Sequence, residues 1–351
     1  MVKKIRVLIV DDSALVRDIL DKGLSADPDI EVVGKAMDVY AARDKIVYMK
    51  PDVITLDVEM PRMDGVEFLK RLMPQYPLPV VMVSSMTKEG SRVTLDALEA
   101  GAVDFVLKPS INIGIGLKEM INELAEKIKI ASTVDVSKWK EVSIEEYTSS
   151  KYQKVLEGST DKVIGIGAST GGTVALTKII NAFPTNIPGT VVVQHMPPGF
   201  TRLFAESLNK SSKVEVAEAK DGDRIIAGRV LIAPGGYQLN VRRSGGQYRV
   251  HCYEAEKVNG HAPSVDVLFY SIAGSVGANA IGVILTGMGR DGADGMLAMR
   301  KTGARTIAQD EASSVVYGMP KEAFKNGGAE KQVNLSAIPS SIYDLLAGIR
   351  G

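Results

Sequence analysis

Cysteine is almost missing from this chain of 351 residues. With Cys252 alone there is no internal disulfide framework and no cysteine-built zinc site, and its place in a strand-like run gives it the role of a small packing residue. An excess of charge of either sign is missing too. Lys plus Arg and Asp plus Glu number 42 each, so no global field draws the chain to nucleic acid or to an anionic membrane surface. No run approaches the roughly 20 apolar residues that a spanning helix needs, so direct membrane insertion is not expected; the protein is expected to be cytoplasmic and monomeric. The opening MVKKIRVLIVDD has the basic start and short apolar run of a secretory leader. Asp11 and Asp12 close that run and no small-residue cleavage site follows, so it reads as a first strand. Tryptophan occurs once, at Trp139, where packing against a domain face is expected.

What is present is a βαβα rhythm. Strands are expected at residues 5–10, 30–36, 53–57, 79–84 and 103–108, each a Val/Ile/Leu-rich run of the kind that is covered on both faces. Amphipathic stretches alternate with them, as in residues 13–24 with Leu15, Val16, Ile19 and Leu20 on one face. The pattern predicts an α/β fold that begins with a doubly wound, five-stranded parallel domain over residues 1–131, closed by a helix over 117–131. Residues 132–160 lose periodicity and read as a linker. A second α/β domain over 161–351 is expected to hold a mixed, mostly parallel sheet, with strands at 163–167, 190–194, 229–232, 280–286 and 306–308. Residues 238–242 and 248–253, joined through Arg243-Ser244-Gly245-Gly246, read as a β-hairpin.

Ligands in such sheets bind at the carboxyl ends of the strands, and Asp11, Asp12, Asp57, Ser84 and Lys108 all fall there. Three clustered carboxylates call for a cation, and an all-oxygen ligand set suits magnesium. Asp57 is then a candidate nucleophile for an aspartyl phosphate, with the Ser84 hydroxyl and the Lys108 ammonium available to phosphoryl oxygens. The motifs VDDS, LDVEMPRMDG, MVSS and LKPS resemble the receiver domain of two-component response regulators. The resemblance implies a flavodoxin-like fold in which Asp57 is the phospho-acceptor, Asp11, Asp12 and Asp57 hold magnesium, Ser84 is the switch hydroxyl and Lys108 contacts the phosphoryl group. It sets Phe105 where that family often carries a mobile aromatic.

In the second half, KVIGIGASTGG runs an apolar strand into a glycine-hinged turn with Ser169 in a Gly-x-Ser-x-Gly setting. A serine on such a turn exposes its hydroxyl, and helix N-terminal N–H groups stand nearby for an oxyanion. A phosphate-cradling dinucleotide loop built on Gly165 and Gly167 competes, although its third glycine is due at the position of Thr170. The chain has three histidines. His195 ends a strand on the edge that carries Ser169, His251 lies inside an alternating strand, and His261 sits in a polar loop as the main rival base. Asp291, in a glycine-rich turn after a buried strand, is the candidate acid. Asp294 is a fallback, and the order Ser, acid, His would instead use Asp221 or Asp223 with His261. The Met288 N–H is a candidate oxyanion donor.

GASTGG, QHMPPGFT and ILTGMGRDGADGM resemble the catalytic domain of chemotaxis protein-glutamate methylesterases, the CheB family, whose order of receiver, linker and esterase this chain shares. The resemblance implies Ser169 as nucleophile, His195 as base, Asp291 as its orienting acid, and Thr170 and Met288 lining the oxyanion site; Arg290 stands where that family often has Asn. It further implies demethylation of glutamate γ-methyl esters on chemoreceptor cytoplasmic helices, glutamine deamidation, a chemotaxis histidine kinase as phosphodonor, and an unphosphorylated receiver that covers the esterase site. No cofactor is expected for the ester chemistry. A signalling module with a non-catalytic ligand-binding output domain is the alternative from another class.

Overall fold

Four successive strand-to-helix turns in the first half end on residues suited to start a helix. Ser13, Asp38, Asp64 and Thr87 each accept a hydrogen bond from a first-turn N–H, of Val16, Ala41, Glu67 and Gly90, which the helix itself leaves unpaired. These caps fix helices α1 (Ala14–Ser25), α2 (Val39–Met49), α3 (Gly65–Gln75) and α4 (Lys88–Glu99), and α5 follows at Ile113–Ala131. The helices cover a sheet of β1 (Ile5–Val10), β2 (Ile30–Ala36), β3 (Val53–Asp57), β4 (Val80–Ser84) and β5 (Asp104–Leu107), in the order β2-β1-β3-β4-β5 with every pair parallel. Helix α5 begins before the expected residue 117. The glycines at 114 and 116 lower helix propensity without ending the helix.

The structure is a computed structural model that describes residues 3–61, 63–85, 87–109, 113–136 and 161–348, so Trp139 and most of the expected linker lie outside the described residues. The chain divides into two compact units, Met1–Lys140 and Glu141–Gly351. Among the described residues no helix is long and apolar enough to cross a membrane.

The second unit holds a seven-stranded sheet ordered β14-β13-β12-β6-β7-β9-β8. Its strands are β6 (Val163–Ala168), β7 (Gly189–Gln194), β8 (Glu215–Glu218), β9 (Arg229–Ile232), β12 (Ala280–Ile284), β13 (Arg305–Gln309) and β14 (Lys331–Val333). All of its described pairings are parallel. The antiparallel component is the separate hairpin of β10 (Gln238–Ser244) and β11 (Gln247–Tyr253). That hairpin lies against helix α8 (Val265–Ser275), where Ser271 Oγ accepts from the Val241 N–H and Ser275 Oγ donates to the Val241 carbonyl, both at 2.8 Å. The remaining helices are α6 (Gly172–Asn181), α7 (Phe200–Ser211), α9 (Ala293–Lys301), α10 (Met319–Lys325) and α11 (Ile338–Leu346). The edge strands β8 and β14 are too short and too polar to announce themselves in the sequence. Strand β12 stops at Ile284 because the Thr286 N–H is taken by the Gln309 side chain, at 2.8 Å, instead of a neighbouring strand.

From β6 the chain moves outward through β7 on one side, then returns to lay β12 on the other. The order of strands therefore reverses at the end of β6, the crevice where open α/β sheets bind ligands. Gly167, in β6, lets α8 come close: a Cβ there would lie 2.2 Å from Val265 Cγ1. Gly167→Ala should therefore lower the stability of the second unit by about 1–3 kcal/mol, read as the denaturant midpoint of its unfolding. A midpoint equal to the parent's would mean that α8 has room to retreat.

Candidate active site

The first unit gathers its acidic residues at the carboxyl edge of the sheet. Asp11 and Asp57 are buried and Asp12 is exposed, and carboxylate oxygens of the three lie within 4.8 Å of one another. Lys108, just past β5, reaches Asp11 Oδ2 at 2.9 Å and Asp57 Oδ2 at 2.8 Å, so one ammonium partly neutralises the pair. Burial pushes the Asp57 carboxyl up to about 6; the Lys108 charge and hydrogen bond work against this, and the Asp11 charge adds to it. Burial opposes the charge of Lys108, but Asp57 and Asp11 outweigh it and raise the ammonium above its ordinary value. Ser84, fully buried, accepts from Thr94 Oγ1 at 2.6 Å and donates toward the Ser85 carbonyl at 3.2 Å. Phe105 is buried, with Lys127 Nζ 5.3 Å from its ring centroid. An all-oxygen donor set with a nearby ammonium fits a hard divalent cation that leaves positions open for a phosphoryl group.

The second unit builds its site around the turn after β6. Gly171 takes φ +77°, a conformation open to glycine, and starts α6 at Gly172. Ser169 thereby stands at the end of β6, between two neighbours. On one side Gln194 Nε2 donates to the Ser169 carbonyl at 3.0 Å and the His195 N–H to the Ala168 carbonyl at 3.1 Å. On the other the Ser169 N–H donates to the Thr286 carbonyl at 3.0 Å, and a Cβ on Gly287 would lie 2.7 Å from Ser169 Cβ. Thr286 Oγ1 in turn donates to the Thr170 carbonyl at 2.9 Å. Among the described residues no backbone carbonyl accepts from the Met288 N–H, and the Met288 side chain is exposed.

His195 Nε2 and Asp291 Oδ2 are 2.8 Å apart, with the two side chains only 7% and 2% exposed. Nδ1 of the same ring is buried and, among the described residues, has no hydrogen-bond partner. Asp291 accepts further bonds from Ser264 Oγ (2.7 Å), Asn259 Nδ2 (2.8 Å) and the backbone N–H groups of Val265 (2.7 Å) and Asp266 (3.2 Å). Burial alone would raise the Asp291 carboxyl. The hydrogen bond and charge of His195, then the bonds from Asn259 and Ser264, outweigh it and hold the group well below the usual carboxylate range.

The competing candidates, His261 apart, go elsewhere. His251 pairs with Asp221 at 2.8 Å on the hairpin, Asp223 accepts from the Lys220 N–H at 2.9 Å, and Asp294 is engaged by Arg290 at 2.7 and 2.8 Å. His261, the rival base, stacks on the His195 ring with centroids 3.6 Å apart. Gly165 and Gly167 are strand residues facing Ile272 and Val265, so they line no phosphate loop. Asn259, Ser264 and Gln238 carry no motif of their own and are visible only through the hydrogen bonds that they make.

Residues 164–342 match the CheB methylesterase family and residues 7–116 the response regulator receiver domain. The chain belongs to the CheB methylesterase family. It is 62% identical over 349 residues to a protein-glutamate methylesterase/protein-glutamine glutaminase of Syntrophotalea carbinolica, covering 99% of each chain. It is 51% identical over 335 residues to the Escherichia coli (strain UTI89) protein of that name, covering 95% of each. The crystal structure of the Thermotoga maritima CheB methylesterase catalytic domain covers 52% of this chain and 98% of its own, with 39% identity and a TM-score of 0.51. Its CheB kinship thus spans both units.

Because burial raises the Asp57 pKa above its unfolded value, its contribution to stability is present below about pH 4 and lost as the pH rises through about 6. Metal-free Asp57→Asn at about pH 7.5 should therefore unfold at higher urea than the parent, by on the order of 2 kcal/mol, and the gap should close towards pH 4. A gap independent of pH would contradict this account of the buried carboxylate.

Proposed function

We propose that the chain is a phosphorylation-activated serine hydrolase that demethylates glutamate γ-methyl esters on the cytoplasmic helices of chemoreceptors and deamidates glutamine side chains there. The observation that carries the reading is the buried His195–Asp291 pair, whose His195 Nδ1 has no partner among the described residues, on the sheet edge that bears Ser169. A binding module has no use for an ionised carboxylate buried behind an imidazole, which costs stability to hold.

With Nε2–H donating to Asp291, Nδ1 is the nitrogen available as base. It takes the Ser169 proton as Oγ bonds to the ester carbonyl carbon, and the charge that develops on the carbonyl oxygen faces the Met288 N–H and the N–H at Thr170. Collapse breaks the carbon–methoxy bond, the imidazolium returns its proton, and methanol leaves. Water then adds to the acyl-enzyme by the same proton path and releases the glutamate carboxylate. An amide substrate follows the same route with ammonia as leaving group. The Asp291 carboxylate stays ionised throughout and stabilises the imidazolium.

Input comes at Asp57. A histidine kinase supplies the phosphoryl group; Asp11, Asp12 and Asp57 would hold magnesium, which supplies positive charge to the transferring phosphoryl oxygens. Lys108 is placed to pair with the phosphoryl product, and Ser84 gives up its bond with Thr94 to reach it. The domain bounds 1–131 and 161–351, with a linker between, suit this division into input and output.

Methanol release from methylated receptor membranes tests both ends of the scheme. Ser169→Ala should lower kcat by about 10^4-fold or more with the fold retained, and a variant that still releases methanol at the parent rate would end the hydrolase reading. A small phosphodonor should accelerate the parent and leave Asp57→Asn unchanged. Equal acceleration of both would place the input elsewhere.

A further inference from the structure

The Asn259-Gly260 turn is as tight as a chain reversal can be. Val258 and His261 exchange both backbone hydrogen bonds, at 3.0 and 2.9 Å, with φ of +53° at Asn259 and +83° at Gly260. Asn-Gly is the pair that adopts this conformation most readily. Two side chains leave the turn towards the same target. Asn259 Nδ2 donates to Asp291 Oδ1 at 2.8 Å and to Asp266 Oδ2 at 2.7 Å, so one amide bridges two buried carboxylates that would otherwise repel each other. His261 lies flat on His195, with ring planes 11° from parallel. The turn is anchored from behind by Gln238, 1% exposed, whose amide donates to the Glu256 and His261 carbonyls and accepts from the Ser264 N–H.

We infer that residues Val258 to His261 form a positioning clamp for the His195–Asp291 pair, in which Asn259 fixes the rotation of the carboxylate and His261 fixes the plane of the imidazole. The inference rests on the hydrolytic reading above. Its physical basis is that each partner has one soft torsion. The carboxylate turns about Cβ–Cγ, and every turn moves Oδ2 off the His195 Nε2–H. Donors to Oδ1 from Ser264, Asn259 and the Asp266 N–H remove that freedom, and Asn259 alone among them also donates to the second carboxylate. The imidazole can still rock about the line to Asp291, which swings Nδ1 away from the serine. A ring held 3.6 Å above it closes that motion. Both effects act on the geometry of proton transfer and not on substrate contacts, so they fall on kcat.

The test uses the full chain with a phosphodonor and reads kcat and KM for methanol release separately, with unfolding midpoints in parallel. Asn259→Gly keeps the positive φ and removes the amide, and kcat should fall by roughly ten- to hundred-fold at unchanged KM. Asn259→Asp keeps the size and turn preference but swaps a donor for a third carboxylate, and should fall at least as far. His261→Ala should lose rate in the same way, and His261→Phe, which restores a flat ring, should recover most of it. Parent-like kcat in Asn259→Gly or Asn259→Asp overturns the clamp, as does His261→Phe performing no better than His261→Ala. Ser169→Ala run alongside separates the two levels: persistent methanol release there defeats the hydrolytic reading, whereas its loss beside an active Asn259→Gly defeats the clamp alone.

Discussion

The second unit is organised by the need to keep one aspartate charged where water is scarce. An isolated carboxylate at the depth of Asp291 would take up a proton, because desolvation of the ion costs far more than one hydrogen bond returns. The fold supplies five donors instead, from His195, Ser264, Asn259 and the N–H groups of Val265 and Asp266. The last two open α8, so the positive end of that helix points at the anion. Gly167 lets α8 approach β6 closely enough for this, and so the glycine in the strand and the acid in the distant turn serve one electrostatic requirement.

The receiver unit treats a buried aspartate in the opposite way. Asp57 has Lys108 and the Glu59 N–H as donors and faces Asp11 beside it, so burial prevails and its carboxyl rises. An under-supplied carboxylate gains from a nearby cation, whereas a fully supplied one does not. The same residue type at the same kind of strand end is thus tuned by donor count to be either a receptive group or an inert counter-ion.

Most of this architecture was legible in the sequence because parallel strands deliver their carboxyl ends to one edge. Apolar runs located β1, β3, β4, β5, β6, β7 and β12, and the residues at or just beyond their ends, from Asp11 to Lys108 and from Ser169 to Asp291, fell on those edges without any knowledge of packing. Three things were hidden. Strands β8 and β14 span four and three residues and lack an apolar run. The pairing of the hairpin with α8 instead of the large sheet depends on Ser271 and Ser275, which look like ordinary helix-surface serines. Asn259 has a sufficient local reason to sit before Gly260 in a turn, so its longer reach to Asp291 leaves no mark on the sequence.

His195 and Asp291 are 96 residues apart in the chain, and the strand β12 that leads to Asp291 inserts beside β6, which comes first in the unit. Such pairings close late, after the entropy of long loops has been overcome. A chain still leaving the ribosome, or one cut anywhere between those two residues and fallen apart, lacks the His195–Asp291 pair. The buried pair therefore forms only where the second unit has closed its whole sheet, and its presence is a mark of completed folding.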